Sequence, residues 1–441
     1  MRATATSFNG VGLGIYRITF GLLLCCSSIR FLLKGWVYDC YLAPNMHFSY
    51  RYFEWVKPFS PEWLMYLLVV LCALASFLVA IGLFYRIAIV CSFFLFTYLE
   101  LIEKAWYLNH YYFVSIILLL LCFIPADHRL SLKSYFSKSK ARALTPPIYA
   151  NVLRLQISLV YFFAGLAKFT SDWLWHALPL KIWLKAKVDV PLIGWLFELE
   201  AIAYLFSYFG LAYDLGIAFL LWNKKTRPLA LLLVVAFHVM TAVLFNIGMF
   251  PWIMIVGSLI FVQDDEWEKL FAFFQIKLPA PTFSKVSKTL PKWLLVLFGL
   301  HFFVQLLLPL RPYFYNKNKL WTERYYRFAW NVMLMEKAGY AIFTIKEPQS
   351  GKTWKVYPND HLSPTQEKQM NFQADMIWQF AQYLQPIYQK KAAHPIEIYV
   401  DAFVTLNGRP SKRYLPQNLN LLQIKQEETY DFILPLDYTD D

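Results

Sequence analysis

Charge is what this chain has little of. Only 16% of its 441 residues are Asp, Glu, Lys or Arg, where a soluble globular protein carries roughly a quarter. That shortage excludes an ordinary soluble domain. With 58% hydrophobic residues and a mean hydropathy of +0.40, the chain reads as an integral membrane protein. Cysteine is sparse too. Of Cys25, Cys26, Cys40, Cys72, Cys91 and Cys122, five lie inside apolar runs and none follows residue 122. This argues against a disulfide framework, and no bridge can tie the C-terminal region to the front half. No His, Asp or Glu pair has ligand spacing on one helix, so no metal is expected. There is no nucleophile elbow, phosphate loop or dinucleotide fingerprint. The net charge of +13 comes with no nucleic-acid motif, and its basic residues cluster in loops between apolar spans. Membrane topology therefore explains them better than a nucleic-acid partner. The apolar run around Cys25 and Cys26 continues to Leu33 without a clear cleavage site, so it reads as a retained first helix.

What the chain does have is apolar spans and aromatics, the latter at 19%, suited to interfacial belts or an aromatic-lined cavity. Spans of near-membrane length fall at 11–33, 63–84, 87–105, 110–125, 148–168, 197–222, 228–247, 250–263 and 293–309. The expected fold is an α-helical polytopic bundle of about nine spans. Its membrane domain covers residues 1–309, and residues 310–441 form an extramembrane α+β domain. Basic residues gather at Arg86, in 126–146, in "NKKTRP" and in 264–292. Positive-inside then places the N-terminus in the cytoplasm and the C-terminal domain in the periplasm or lumen.

In the C-terminal region "AIFTIKEPQSGKTWKVYP" reads as two strands joined by a Gly turn. "LSPTQEKQMNFQADMIWQFAQYLQ" reads as a helix, with Ser363 as N-cap, Pro364 at the first position and Gln366 closing a capping box. "IEIYVDAFVTLNG" alternates as a strand, with Ile396, Ile398, Val400, Ala402, Val404 and Leu406 on one face.

A few polar residues stand inside the apolar spans. In "VYFFAGLAKFTSDWL", Tyr161, Ala164, Gly165, Lys168 and Asp172 share one helical stripe. Lys168 has two readings. One is a snorkelling lysine paired with Asp172. The other is a desolvated amine acting as a base, with small residues beside it leaving room for a ligand. His238 lies about ten residues from either end of its span, near the midplane. His110 opens a span beside Asn109. Each is a functional hypothesis or a neutral histidine satisfied by a neighbouring helix. "FNIGMFPW" is a Gly/Pro break that is either a plain turn or backbone lining a cavity. "WTERYYRFAWNVMLMEKAGY" is an amphipathic connector or a segment lying on the membrane surface. Asn109, His110, Lys168 and His238 could converge on a membrane-accessible cavity for a lipid-soluble substrate.

Seven segments, in order, resemble the vitamin K-dependent gamma-carboxylase family, whose membrane part is the HTTM domain. They are "YFEWVKP", "GLFYR", "YLNHYY", "VYFFAGLAKFTSDWL", "FHVMTAVLFNIGMFPWIM", "WTERYYRFAWNVMLMEKAG" and "VDAFVTLNGRPS". The resemblance runs from about residue 12 to about residue 415 and is that of a compact, bacterial-type member. It implies an enzyme that uses vitamin K hydroquinone, O2 and CO2 as co-substrates and no metal. The hydroquinone is oxidised to the epoxide, and the alkoxide formed on the way deprotonates glutamate in a protein or peptide partner for CO2 addition. By the same resemblance Lys168 takes the hydroquinone proton, and Asn109 and His110 bond the quinone oxygens or orient the reacting intermediate. His238 lies near the same pocket, Tyr326 falls on a position tied to epoxidation, and Met333 lines the ring site. A neutral, desolvated lysine suits a phenol-like OH, and dry surroundings protect the alkoxide. The chain departs from the family pattern at Asn331, where a charged residue is expected, and in "LPQNLNL", which lacks the usual aspartates. It stops short of the vertebrate enzyme's long lumenal region, so much of the propeptide-docking surface is expected to be missing. The alternatives are an epoxidase without protein carboxylation and a non-enzymatic quinone- or lipid-binding membrane protein.

Overall fold

The computed structural model describes residues 10–136, 141–144, 146–276, 278, 282–286, 290–315 and 318–436. The chain opens with α1 (Val11–Leu33), α2 (Trp63–Ile81), α3 (Tyr85–Ile102) and α4 (Asn109–Phe123). A short α5 (Leu132–Phe136) precedes α6 (Ile148–Ala167). Two brief helices, α7 (Ser171–His176) and α8 (Leu180–Lys185), lead to α9 (Glu200–Trp222), α10 (Arg227–Leu244) and α11 (Phe250–Ser258). Then come α12 (Asp264–Phe273), α13 (Lys292–Leu310) and α14 (Lys319–Thr322), and finally α15 (Pro364–Met370) and α16 (Ala374–Gln389).

Among the described residues seven helices are long and apolar enough to cross a membrane: α1, α2, α3, α6, α9, α10, and α13 with its extension to Phe314. The expected count of nine spans is not reached. The runs at 110–125 and 250–263 are the two that fall short. α4 has 15 residues, about 22 Å of helix against a hydrocarbon core of about 30 Å. α11 starts late because Gly248, at φ +61°, and Pro251, in the first turn, break the chain. Both short helices are packed among others: Phe113, Val114, Ile117 and Leu121 of α4 and Ile253 and Met254 of α11 are buried.

Small residues and polar fastenings hold the bundle. A Cβ on Gly21 of α1 would stand 2.7 Å from the Ala80 amide nitrogen of α2, so the glycine sets how closely these helices approach. Gly21→Val is expected to cost about 1–3 kcal/mol through overpacking, read as a lowered unfolding midpoint of the detergent-solubilised protein. An unchanged midpoint would mean the crossing can slide. Arg17 is fully buried and donates to the carbonyls of Val79 (2.7 Å), Ala80 (2.5 Å), Ala126 (3.0 Å) and Leu130 (2.5 Å). It satisfies the Ala80 carbonyl at the end of α2 and adds a second bond to Val79, whose carbonyl already accepts from the Gly82 amide. α13 is fastened by an intramembrane polar chain. His301 bonds Gln156 at 2.8 Å, and Gln305 donates to the Tyr112 hydroxyl at 2.9 Å, as interhelical glue in an apolar medium does. All six cysteines are unbridged. Strands β1 (Ala141–Leu144) and β2 (Thr282–Val286) pair in parallel, which brings the two long basic connections onto the same face.

The C-terminal region is an antiparallel sheet of β3 (Lys337–Glu347), β4 (Lys352–Val356), β5 (Glu397–Leu406) and β6 (Lys412–Arg413), in the order β4-β3-β5-β6. The turn between β3 and β4 uses Gly351 at φ +73°. The expected inner face of β5 is buried throughout. Ser363 and Gln366 form the capping box of α15. The expected single helix is broken at Asn371–Gln373 into α15 and α16, so that the two pack at an angle under the sheet. Residues 321–335 are an irregular, partly buried connector between α14 and β3. Trp321 and Trp330 are buried, and Glu323, Tyr325, Phe328, Trp330 and Met333 all have positive φ.

Lateral fastenings join this region to the bundle. Lys104 donates to Asp375 at 2.7 Å, and Arg327 bonds the same carboxylate at 3.0 Å. Gln366 donates to Met46 O at 2.8 Å and to Glu103 at 2.7 Å.

Candidate functional site

α6 ends one residue before Lys168. The Lys168 amide bonds back to the Gly165 and Leu166 carbonyls, and Thr170 then caps α7 by accepting from the Trp173 amide. This tight exit folds the lysine side chain back against the bundle instead of out to water. Its Nζ donates to Ala164 O at 3.1 Å and to Asp214 Oδ2 of α9 at 2.6 Å, with the Trp173 ring centroid 5.1 Å away. Lys168 is 6% exposed and Asp214 7%. The snorkelling reading and the pairing with Asp172 are both corrected. Asp172 turns away and binds the C-terminal region instead: Asn407 donates to it at 2.5 Å and Arg409 at 2.6 and 2.9 Å. The two small residues also divide their work. Ala164 faces the cavity described next, whereas Gly165 admits α9: a Cβ there would lie 2.8 Å from the Leu215 side chain.

Lys168 opens onto a mainly apolar cavity of about 70 Å³, whose wall includes Tyr161, Ala164, Asp214, His238 and Met333. His238 Nε2 and the Tyr161 hydroxyl are 3.0 Å apart, and His238 Nδ1 is buried without a partner. Asn109 and His110 line a different cavity, of about 690 Å³. There the His110 Nε2 atom is buried and unpartnered. The Asn109 amide is already committed: it donates to Asn331 O at 2.8 Å and accepts from the Tyr107 hydroxyl at 3.0 Å. It thus pins the 321–335 segment to α4. Tyr326 lines a third, more open cavity of about 440 Å³. The six expected residues therefore do not share one chamber. They lie on three adjoining ones, and Phe245 and Met333 form walls of all three. "FNIGMFPW" contributes Phe245 and Phe250 and is cavity-lining backbone, not a plain turn.

Two groups of residues were missed from sequence. Asp214, in "LAYDLG", is an acid inside an apolar span, which is itself a functional signal. Asn407 and Arg409 close the site from the C-terminal side, and nothing in their spacing points to α7. Burial alone pushes the Asp172 carboxyl up, but the bonds from Arg409 and Asn407 outweigh it and hold it below the usual range. A second lysine caps the same helix end: Lys319 donates to Ala167 O at 3.3 Å and to the Tyr313 hydroxyl at 2.9 Å, and burial lowers it to about 8. Because α7 supplies Trp173 to the cavity wall, Arg409→Gln is expected to loosen this cover. Faster amide exchange across 170–177 and about tenfold lower turnover should appear together, of the order of losing one charge-assisted pair. Unchanged exchange would show that Asn407 suffices.

The geometry defines a class: a multi-pass membrane protein whose C-terminal sheet region packs beside a buried lysine–carboxylate pair at an apolar cavity. The HTTM domain model matches residues 6–267, and the model for the vitamin K-dependent gamma-carboxylase lumenal domain matches residues 290–439. The chain belongs to the vitamin K-dependent gamma-carboxylase family. No solved structure matches it.

Proposed function

We propose that this protein is a vitamin K-dependent gamma-glutamyl carboxylase: it oxidises vitamin K hydroquinone to the epoxide and couples this to CO2 addition at a glutamate side chain. The observation that carries the reading is the Lys168 amine, buried beside a mainly apolar cavity at the position the family resemblance assigns to the base. A hydroquinone OH resembles a phenol, whose ordinary pKa is about 10. It is a proton donor suited to a positioned general base. The cavity at Lys168 would receive the hydroxyl-bearing edge of the ring, and the adjoining larger cavity has room for the rest of the molecule. Met333 and Phe245 would contact the ring where the cavities meet. His238, its Nε2 held by Tyr161, and His110, with its Nε2 free, are the nearest polar groups available to quinone oxygens. Tyr326, on the open side, would face the glutamate-bearing chain. O2 and CO2 are the other substrates. The C-terminal region would lie in the periplasm or lumen and the N-terminus in the cytoplasm, with the protein–glutamate partner arriving from the C-terminal side.

The test supplies purified protein with vitamin K hydroquinone, O2, labelled bicarbonate and a short glutamate peptide, and quantifies epoxide and acid-stable label together. Both products are expected. Epoxide without label across varied peptides would replace the carboxylase by an epoxidase. Neither product, from folded protein that binds the quinone, would leave a non-enzymatic quinone-binding protein.

A further inference from the structure

A lysine that is to accept a proton must first lack one. Lys168 is held 2.6 Å from a carboxylate, in surroundings where both groups are more than nine-tenths buried. An isolated ammonium there would be costly, and so would an isolated carboxylate. The pair as a whole, however, is uncharged whether the proton sits on nitrogen or on oxygen.

Resting on the proposed function, we infer that Asp214 is the proton store that makes Lys168 a base: it takes one proton from the Lys168 ammonium before the hydroquinone gives up its own. The step balances. One N–H bond of Lys168 breaks and an O–H bond forms on Asp214 Oδ2, leaving a neutral amine beside a neutral carboxylic acid. The substrate O–H then breaks, its proton bonds to Lys168 Nζ, and its electron pair stays on the ring oxygen. The new ammonium faces that anion, so the chamber as a whole never departs from neutrality.

The surroundings single out Asp214 for this task. Among the described residues it is the carboxylate bonded to Lys168 Nζ. The other atom that Nζ contacts, Ala164 O, cannot take a proton. The Tyr161 hydroxyl and His238 Nε2 bond each other at 3.0 Å. Lys319, a further cation at this helix end, bonds the Ala167 carbonyl and the Tyr313 hydroxyl instead. Asp172, the acid that sequence spacing would nominate, is occupied by Asn407 and Arg409. Asp214 also borders the cavity itself, so substrate and store flank the amine. Asp214 acts through Lys168 and is a positioning residue in this sense, not one that touches the substrate.

The experiment compares wild type with Asp214→Asn and Asp214→Glu, all full-length in detergent, measuring vitamin K hydroquinone turnover to epoxide and quinone affinity separately. The expected result is that Asp214→Asn loses about 10²-fold or more in kcat while the quinone Kd stays within twofold, and that Asp214→Glu recovers a measurable part of the loss. A merely structural Asp214 would lower both together. Turnover of Asp214→Asn equal to wild type, or a loss traced wholly to Kd, overturns the inference while the functional reading stands. Absence of epoxide from wild type overturns the reading and this inference with it. Should Asp214→Asn not fold, Asp214→Glu decides, because it keeps a carboxylate that can hold the proton. Retained turnover at an unchanged Kd supports the store, and no detectable epoxide from folded Asp214→Glu that binds the quinone with wild-type Kd overturns it.

Discussion

Lys168→Ala protein that is folded and still binds vitamin K hydroquinone is expected to form no detectable epoxide and to fix no CO2 into a glutamate peptide. The expectation follows from what surrounds the amine. Its side chain is 7% exposed, its carboxylate partner 10%, and the cavity it borders is mainly apolar. General-base assistance contributes about 10²–10⁴-fold, and the loss should reach the upper part of that range because His238 and Tyr161 already hold each other. The control is built from the same geometry. Removing Lys168 alone strands the Asp214 carboxylate in a low-dielectric site, at a cost of about 3–5 kcal/mol. A double variant, Lys168→Met with Asp214→Leu, removes both charges and should fold at least as well as the single one. If the folded single variant still makes epoxide, Lys168 is not the base. If only the double variant folds and it is inactive, the lysine–carboxylate pair as a unit is shown to be necessary.

How far the sequence could be read depended on which forces were local. Helix existence followed from apolar runs, the capping box of Ser363 and Gln366 from a short pattern, and the buried face of β5 from strict alternation. Each is decided within a few residues of chain, and each is present as read. The count of spans was not, because crossing a bilayer is a matter of length, and α4 and α11 are stopped by caps and by the break at Gly248–Pro251. The site split along the same line. Lys168, His238 and His110 were visible because an ionisable group in an apolar span stands out. Their partners were not. Lys168 pairs across 46 residues with Asp214, and Asp172 across 235 with Asn407, whereas the i+4 rule sees only one helix. Gly165 shows the limit well. Its small size was legible, but whether the space was left for a ligand or for α9 is settled by where Leu215 lies. The single converging cavity was likewise an inference from polarity alone: Lys168 and His238 line one cavity, Asn109 and His110 another, and Phe245 and Met333 are walls of both.

Asp375→Asn is expected to weaken the full-length protein by about 3–5 kcal/mol, the cost of leaving buried cations without their anion. Lys104 and Arg327 both bond its Oδ2 atom, at 2.7 and 3.0 Å, and the Lys104 side chain is 3% exposed. Arg327 also contacts Gln373, so the one carboxylate ties α16 to the turn after α3 and to the segment carrying Tyr326 and Met333. Its pH dependence has a definite sign. Burial by itself would raise the Asp375 carboxyl, but the Arg327 guanidinium and the Lys104 ammonium outweigh burial and hold it below its ordinary value. An aspartate in the unfolded chain titrates near 3.9. The contribution is therefore complete above about pH 4 and is lost as pH falls from there through the lower folded value. Wild type should lose stability in that acid window, and Asp375→Asn should show a flatter acid limb with a lower plateau at neutral pH. Denaturant unfolding of both proteins from pH 3 to pH 8 measures this. Parallel acid limbs would place the stabilising charge elsewhere. A neutral plateau within about 0.5 kcal/mol of wild type, the range of an ordinary surface substitution, would mean that Lys104 and Arg327 find water when the carboxylate is gone. The same variant should also release Met333 from the junction of the three cavities, so turnover should fall with stability. This separates it from Asp214→Asn, whose predicted loss is read in kcat at an unchanged quinone Kd.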